Sequence, residues 1–75
     1  MITQQQLFEV IAKAEDLDPT SLTLETKLSD LGIDSLAKME LIFHVEDQYK
    51  IMLPSNELDV STLGEVLDLV NRHLP

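Results

Sequence analysis

The chain has 75 residues, no cysteine, and 14 acidic against 5 basic residues, for a net charge of −9. That length makes one domain with a small core, and the missing thiols exclude both a disulfide framework and a thiolate metal site. The charge opposes contact with nucleic acid or anionic lipid and suits contact with basic protein surfaces.

The first helix is predicted to begin at Thr3, because Thr3 and Gln6 have capping-box spacing. Leu7, Val10, Ile11 and Ala14 follow on one helical face, and Asp18-Pro19 is expected to end the helix. Residues Asp18 to about Ile33 have no clean period. Leu22, Leu24, Leu28, Leu31 and Ile33 recur through them, which reads as a long loop pinned to the core by leucines, with one helical turn near Thr26–Leu31. Gly32 supplies a turn backbone that other residues resist. The second helix is expected over Ser35–Tyr49, with Asp34 as N-cap. Pro54 breaks the chain, and Ser55 can cap a short turn through Leu58. The last helix starts at Ser61 or Thr62, and Thr62 and Glu65 again have capping-box spacing. Its expected buried stripe is Leu63, Val66, Leu67, Val70 and Leu74, and Arg72 and His73 lie where positive charge suits the helix dipole. The fold class is all-α: a small bundle of three main helices plus one short helix, with residues 1–75 as one domain. No apolar stretch is long enough to span a membrane. The N-terminus lacks the regions of a signal peptide, so a cytoplasmic monomer is expected.

The second helix is apolar on two sides. At about 100° per residue, Leu41, Ile42, Val45 and Tyr49 fall within one arc, and Leu36, Met39 and Phe43 fall nearly opposite. Glu40, Glu46 and Asp47 bracket the second stripe. A domain this small has too few other elements to bury both faces, so an exposed apolar strip with a charged rim is expected, which fits a partner-binding site. Ser35 lies in the first turn, at the border of the two faces.

Catalysis by Ser35 would need a base and an oxyanion hole. His44 is nine residues along the same helix, about 13 Å of rise away, and His73 is near the C-terminus. No Gly-x-Ser-x-Gly elbow, calcium loop, zinc ligand set or dinucleotide fingerprint occurs. The chain reads as no enzyme and as holding no metal. A serine at a helix start can instead accept a group from another enzyme, and a phosphate there would lie near backbone N–H groups that favour anions.

At these residues the sequence resembles an acyl carrier protein. The resemblance rests on Leu31-Gly32-Ile33-Asp34-Ser35-Leu36, Met39-Glu40-Leu41, Glu46-Asp47-Gln48-Tyr49, Ile51-Met52-Leu53-Pro54 and the Thr62-initiated final helix, and covers nearly the whole chain. It implies that Ser35 carries 4′-phosphopantetheine, installed from coenzyme A by a phosphopantetheinyl transferase, whose thiol holds an acyl group as a thioester. It further implies that Asp34 presents Ser35 to the transferase. Partner enzymes would read Leu36, Met39 and Phe43 as apolar anchors and Glu40, Glu46 and Asp47 as charge contacts. Acyl chains would be sheltered between Leu41, Ile42, Val45 and the final helix. The implied pathways are fatty-acid, polyketide or specialised lipid biosynthesis. Two departures bear on partners. Lys38, His44 and Lys50 dilute the acidity that fatty-acid carriers concentrate here, leaving a net −2 over residues 34–50. Asp34 stands where peptidyl carriers commonly place histidine or another residue. An aminoacyl or peptidyl carrier and a non-covalent acidic adaptor for a basic partner remain as alternatives.

Overall fold

In the computed structural model, which describes all residues Met1–Pro75, the first helix, α1, spans Gln4–Glu15. The expected capping box closes it: Gln6 N donates to the Thr3 hydroxyl at 3.1 Å, and Thr3 N donates to Gln6 Oε1 at 2.8 Å. The helix ends three residues before the expected Asp18-Pro19 boundary. Asp16 turns left-handed (φ 57°) and Leu17 N donates back to the Ala12 carbonyl at 2.8 Å. A helix continued through Leu17 would point that side chain about 120° away from Ile11 and about 180° away from Phe8. The left-handed cap instead lets Leu17 pack against the core. The buried face is Leu7, Phe8, Ile11 and Ala12, with Val10 at its edge and Ala14 exposed. It is rotated from the expected stripe because α1 packs against both other long helices.

The loop holds two 3₁₀ turns, Pro19–Ser21 and Leu28–Leu31, where one had been expected. Asp18 caps the first by accepting from Thr20 N at 3.0 Å and Thr20 Oγ1 at 2.8 Å. The side-chain bond first, then the backbone bond, hold the Asp18 carboxyl below its usual range. Leu22, Leu28 and Ile33 are buried and Leu31 partly so, as the recurrence of leucines predicts. Leu24 is the exception: its side chain is exposed, and its backbone makes the contact.

The second helix, α2, spans Ser35–Tyr49 as expected, and the third, α3, spans Leu63–His73. The short turn before α3 is Ser55–Glu57. Ser55 does not cap it: Pro54 is the capping residue, and no side chain bonds the turn's first N–H groups. Thr62 caps α3 through the predicted box with Glu65. Glu65 also accepts from Ser61 N at 3.0 Å, and these backbone bonds, from Ser61 and then Thr62, keep its carboxyl low. The loop closes over this helix start. Leu63 N donates to the Thr26 carbonyl at 3.0 Å, Gly64 N to that of Leu24 at 2.9 Å, and Leu28 N to that of Ser61 at 2.8 Å. Gly64 is required by this approach, since a Cβ there would lie 3.0 Å from the Leu24 oxygen. The far end of α3 is tied by Glu57, which receives Arg72 at 3.1 Å and lies 2.7 Å from His73 Nε2. The contact with His73, and to a lesser degree the charge of Arg72, hold the Glu57 carboxyl below its usual range.

Sixteen buried residues, all apolar, form one core. In α3 the stripe differs from expectation at two positions: Leu74 lies past the helix end and is only partly buried, and Leu69 replaces Leu67. Leu69 is fully buried, and Leu67 only partly. The buried arc is centred on Val66, which places Leu69 about 60° to one side and Leu67 about 100° to the other. Leu69→Ala should therefore destabilise the fold by about 2–5 kcal/mol, and Leu67→Ala by clearly less, in urea unfolding of the two variants.

Candidate functional site

The Leu28–Leu31 turn ends at Gly32, whose left-handed backbone (φ 77°) reverses the chain. Its N–H donates to the Ser29 carbonyl at 3.1 Å, and Ile33 N donates to that of Leu28. Ile33 is then buried, and Asp34 emerges at the surface as the N-cap of α2. The Asp34 carboxylate accepts from Ala37 N at 2.8 Å. It therefore stabilises the helix start and leaves the adjacent Ser35 hydroxyl exposed to solvent. The N–H groups of Ser35 and Leu36 belong to the first turn and have no partner within the helix.

The structure separates the two faces of α2 as the sequence predicts. Leu41, Ile42 and Val45 are 2%, 1% and 0% exposed, with Ala37 and Tyr49 packed beside them. On the other side Leu36 is 70% and Phe43 58% exposed. Met39, between them, is half-buried. Glu40 and Asp47 stand in solvent on the rim. Glu46 is tied into the fold. Its Oε2 accepts from Leu53 N at 2.7 Å, closing the chain reversal after the left-handed Lys50. The side chains expected to shelter an acyl chain are fully packed, so a chain entering there would have to part the helices.

Beside Ser35 lies an open groove of about 570 Å³, between the loop, the start of α2 and the segment before α3. Its floor includes Ile33 and Val60, and its walls carry Lys27, Lys38 and Ser61. Sequence reasoning treated Lys38 only as a dilution of acidity and did not single out Lys27. Lys38 is three residues after Ser35, a neighbouring position on a helix, and that spacing was the available signal. No spacing connects Lys27 to Ser35, because the loop-to-α3 contacts bring it there. His44 is exposed on α2, and His73 is held by Glu57 at the far end of α3. Neither histidine lines the groove beside the serine.

Comparison with known proteins agrees with this geometry. The sequence profile described as "Phosphopantetheine attachment site" matches residues 5–70. The chain is 32% identical over 71 residues to the acyl carrier protein of Clostridium acetobutylicum, covering 92% of each. It is 29% identical to the meromycolate extension acyl carrier protein of Mycobacterium leprae, over 95% of this chain and 67% of that one. It is 34% identical to the non-reducing polyketide synthase tazA of Aspergillus terreus, over 88% of this chain and only 3% of the synthase's length. The chain belongs to the phosphopantetheine-attachment family of acyl carrier proteins: it is a carrier rather than an enzyme, and its cofactor is covalent 4′-phosphopantetheine. The donor set fits that group, with a free hydroxyl, unpartnered first-turn N–H groups and two ammonium groups alongside. No helix is long and apolar enough to cross a membrane.

The bond between Glu46 and Leu53 has a measurable consequence. Glu46→Ala should cost about 1–3 kcal/mol, because it strands the Leu53 N–H beside a closed turn. Asp47→Ala removes the same charge and should stay within about 0.5 kcal/mol of the parent. Thermal or urea unfolding of the pair reads the difference.

Proposed function

We propose that Ser35 is the phosphopantetheine attachment residue, and that the protein delivers acyl intermediates of fatty-acid, polyketide or specialised lipid biosynthesis to partner enzymes. The observation that carries this reading is the free Ser35 hydroxyl at the start of α2, next to an apolar strip that the core does not use. A phosphopantetheinyl transferase supplies the arm from coenzyme A. The Ser35 oxygen forms a bond to the phosphorus attached to the pantetheine, the pyrophosphate bond breaks, adenosine 3′,5′-bisphosphate leaves, and a base of the transferase takes the serine proton. The arm supplies a thiol for thioester formation, which a chain without cysteine cannot provide itself.

Asp34 contributes by fixing the helix start, so that Ser35 is presented on a rigid element. Leu36, Met39 and Phe43 act as anchors, with Leu36 and Phe43 giving most of the exposed area. Glu40 and Asp47 supply charge contacts to basic partner surfaces, and Glu46 does so through the oxygen that Leu53 does not use. The net −2 over residues 34–50 makes these contacts depend more on the apolar strip than on charge. The protein works as a cytoplasmic monomer, where coenzyme A and the transferase meet it.

Incubation with coenzyme A and a phosphopantetheinyl transferase should add one phosphopantetheine to the intact mass, and Ser35→Ala should abolish the gain. A mass gain that survives in Ser35→Ala would place the attachment elsewhere. The exposed strip also suits a non-covalent adaptor, which predicts that Ser35→Ala retains full function in a complementation assay. Phe43→Glu should leave stability within about 0.5 kcal/mol, as exposed substitutions do. The same change should slow modification by the transferase, measured as the rate of mass gain.

A further inference from the structure

We propose that Lys27 and Lys38 form an electrostatic latch that draws a Ser35-linked arm into the groove toward Val60 and Ser61, holding its phosphodiester between two ammonium groups. This rests on the reading of Ser35 as the attachment point.

The charge distribution carries the inference. The chain has only five lysines and arginines against 14 acids. Arg72 is consumed by Glu57 and Asp68. All four lysines are in no ion pair, and of these, unlike Lys13 and Lys50, Lys27 and Lys38 line the groove that Ser35 borders. They come from opposite walls. Lys27 sits on the loop, its backbone fixed by a β-bridge to Thr62. Lys38 sits on α2, its Nζ 3.4 Å from the Val60 carbonyl. That contact is long for a hydrogen bond and uses one of three ammonium donors. Asp34, the acid of this groove, already accepts from Ala37 N. The groove therefore sets two ammonium groups against the single Asp34 carboxylate, a net positive site beside a serine in a protein whose overall charge is −9.

The shape and polarity fit the arm better than an alkyl chain. The floor presents Leu28, Ile33 and Val60, which suit the gem-dimethyl group of pantetheine, and Ser29 and Ser61 offer hydroxyls to its amides. An alkyl chain laid there would desolvate two unpaired ammonium groups, which is costly. A phosphodiester satisfies them. Because the groove is open to water, the attraction is screened by salt, and a basic partner surface can compete for the same phosphate and free the arm.

The test compares ¹⁵N-labelled protein before and after enzymatic modification, by intact mass and by ¹H–¹⁵N spectra. Modification should shift the amides of Lys27–Ser29 and Val60–Ser61 as well as those adjoining Ser35. The remote shifts should fall by about twofold or more near 1 M salt, where the screening length shrinks to about 3 Å. They should fall similarly in fully modified Lys27→Gln/Lys38→Gln at low salt. A complete mass gain with shifts confined to residues 34–38, or remote shifts indifferent to salt, would overturn the latch and leave the attachment standing. Absence of any mass gain in the parent protein would overturn the attachment reading, and the latch with it.

Discussion

The start of α3 is closed by a different part of the chain, and much of the site depends on that closure. A helix N-terminus leaves backbone donors without partners. Here the carbonyls of Leu24 and Thr26 satisfy the N–H groups of Gly64 and Leu63, and Thr62 satisfies that of Glu65. Leu28 N returns a bond to Ser61. These contacts convert an aperiodic loop into a fixed wall. They hold Leu28 in the core, set the turn that ends at Gly32, and so determine where Asp34 leaves the surface and where Ser35 stands. They also bring Lys27 and Ser61, 34 residues apart in sequence, to the rim of one groove.

What the sequence made legible was local. Capping boxes at Thr3 and Thr62 mark two helix starts because their partners are three residues away. Asp34 marks a third for the same reason. The two-sided pattern of α2 predicts which side enters the core because helical geometry alone sorts Leu41, Ile42 and Val45 from Leu36 and Phe43. The misses came where distant contacts decide. The end of α1 is set by Leu17 seeking the core, which outweighs the Pro19 signal. The choice of Leu69 over Leu67 follows from how α3 is rotated against α1. The short turn before α3 lacks the serine cap that its sequence suggested, since Pro54 holds the capping position. Leu24 reads as an anchor by its side chain, but it anchors by its carbonyl oxygen. Hydropathy carries no information about a backbone oxygen.

The functional surface combines parts of different legibility. Exposed Leu36 and Phe43 were readable as a strip, and Ser35 stands in solvent beside it. The task of Glu46 was not readable, because its partner is the N–H of Leu53 across a chain reversal. An acid on the rim of an exposed apolar strip can thus be a structural bond. For carriers of this family, the rim charges of α2 need to be sorted by their internal hydrogen bonds before they are assigned to partners.

Asp34 and Ser35 divide two roles that one residue could have combined. Serine is itself a good N-cap, and had it occupied that position its oxygen would have been tied to a backbone N–H. Every change of occupancy would then have loosened the helix. With the aspartate as keystone, a group added to the neighbouring oxygen would break no intramolecular bond. The helix start therefore keeps its closure whatever the neighbouring oxygen holds.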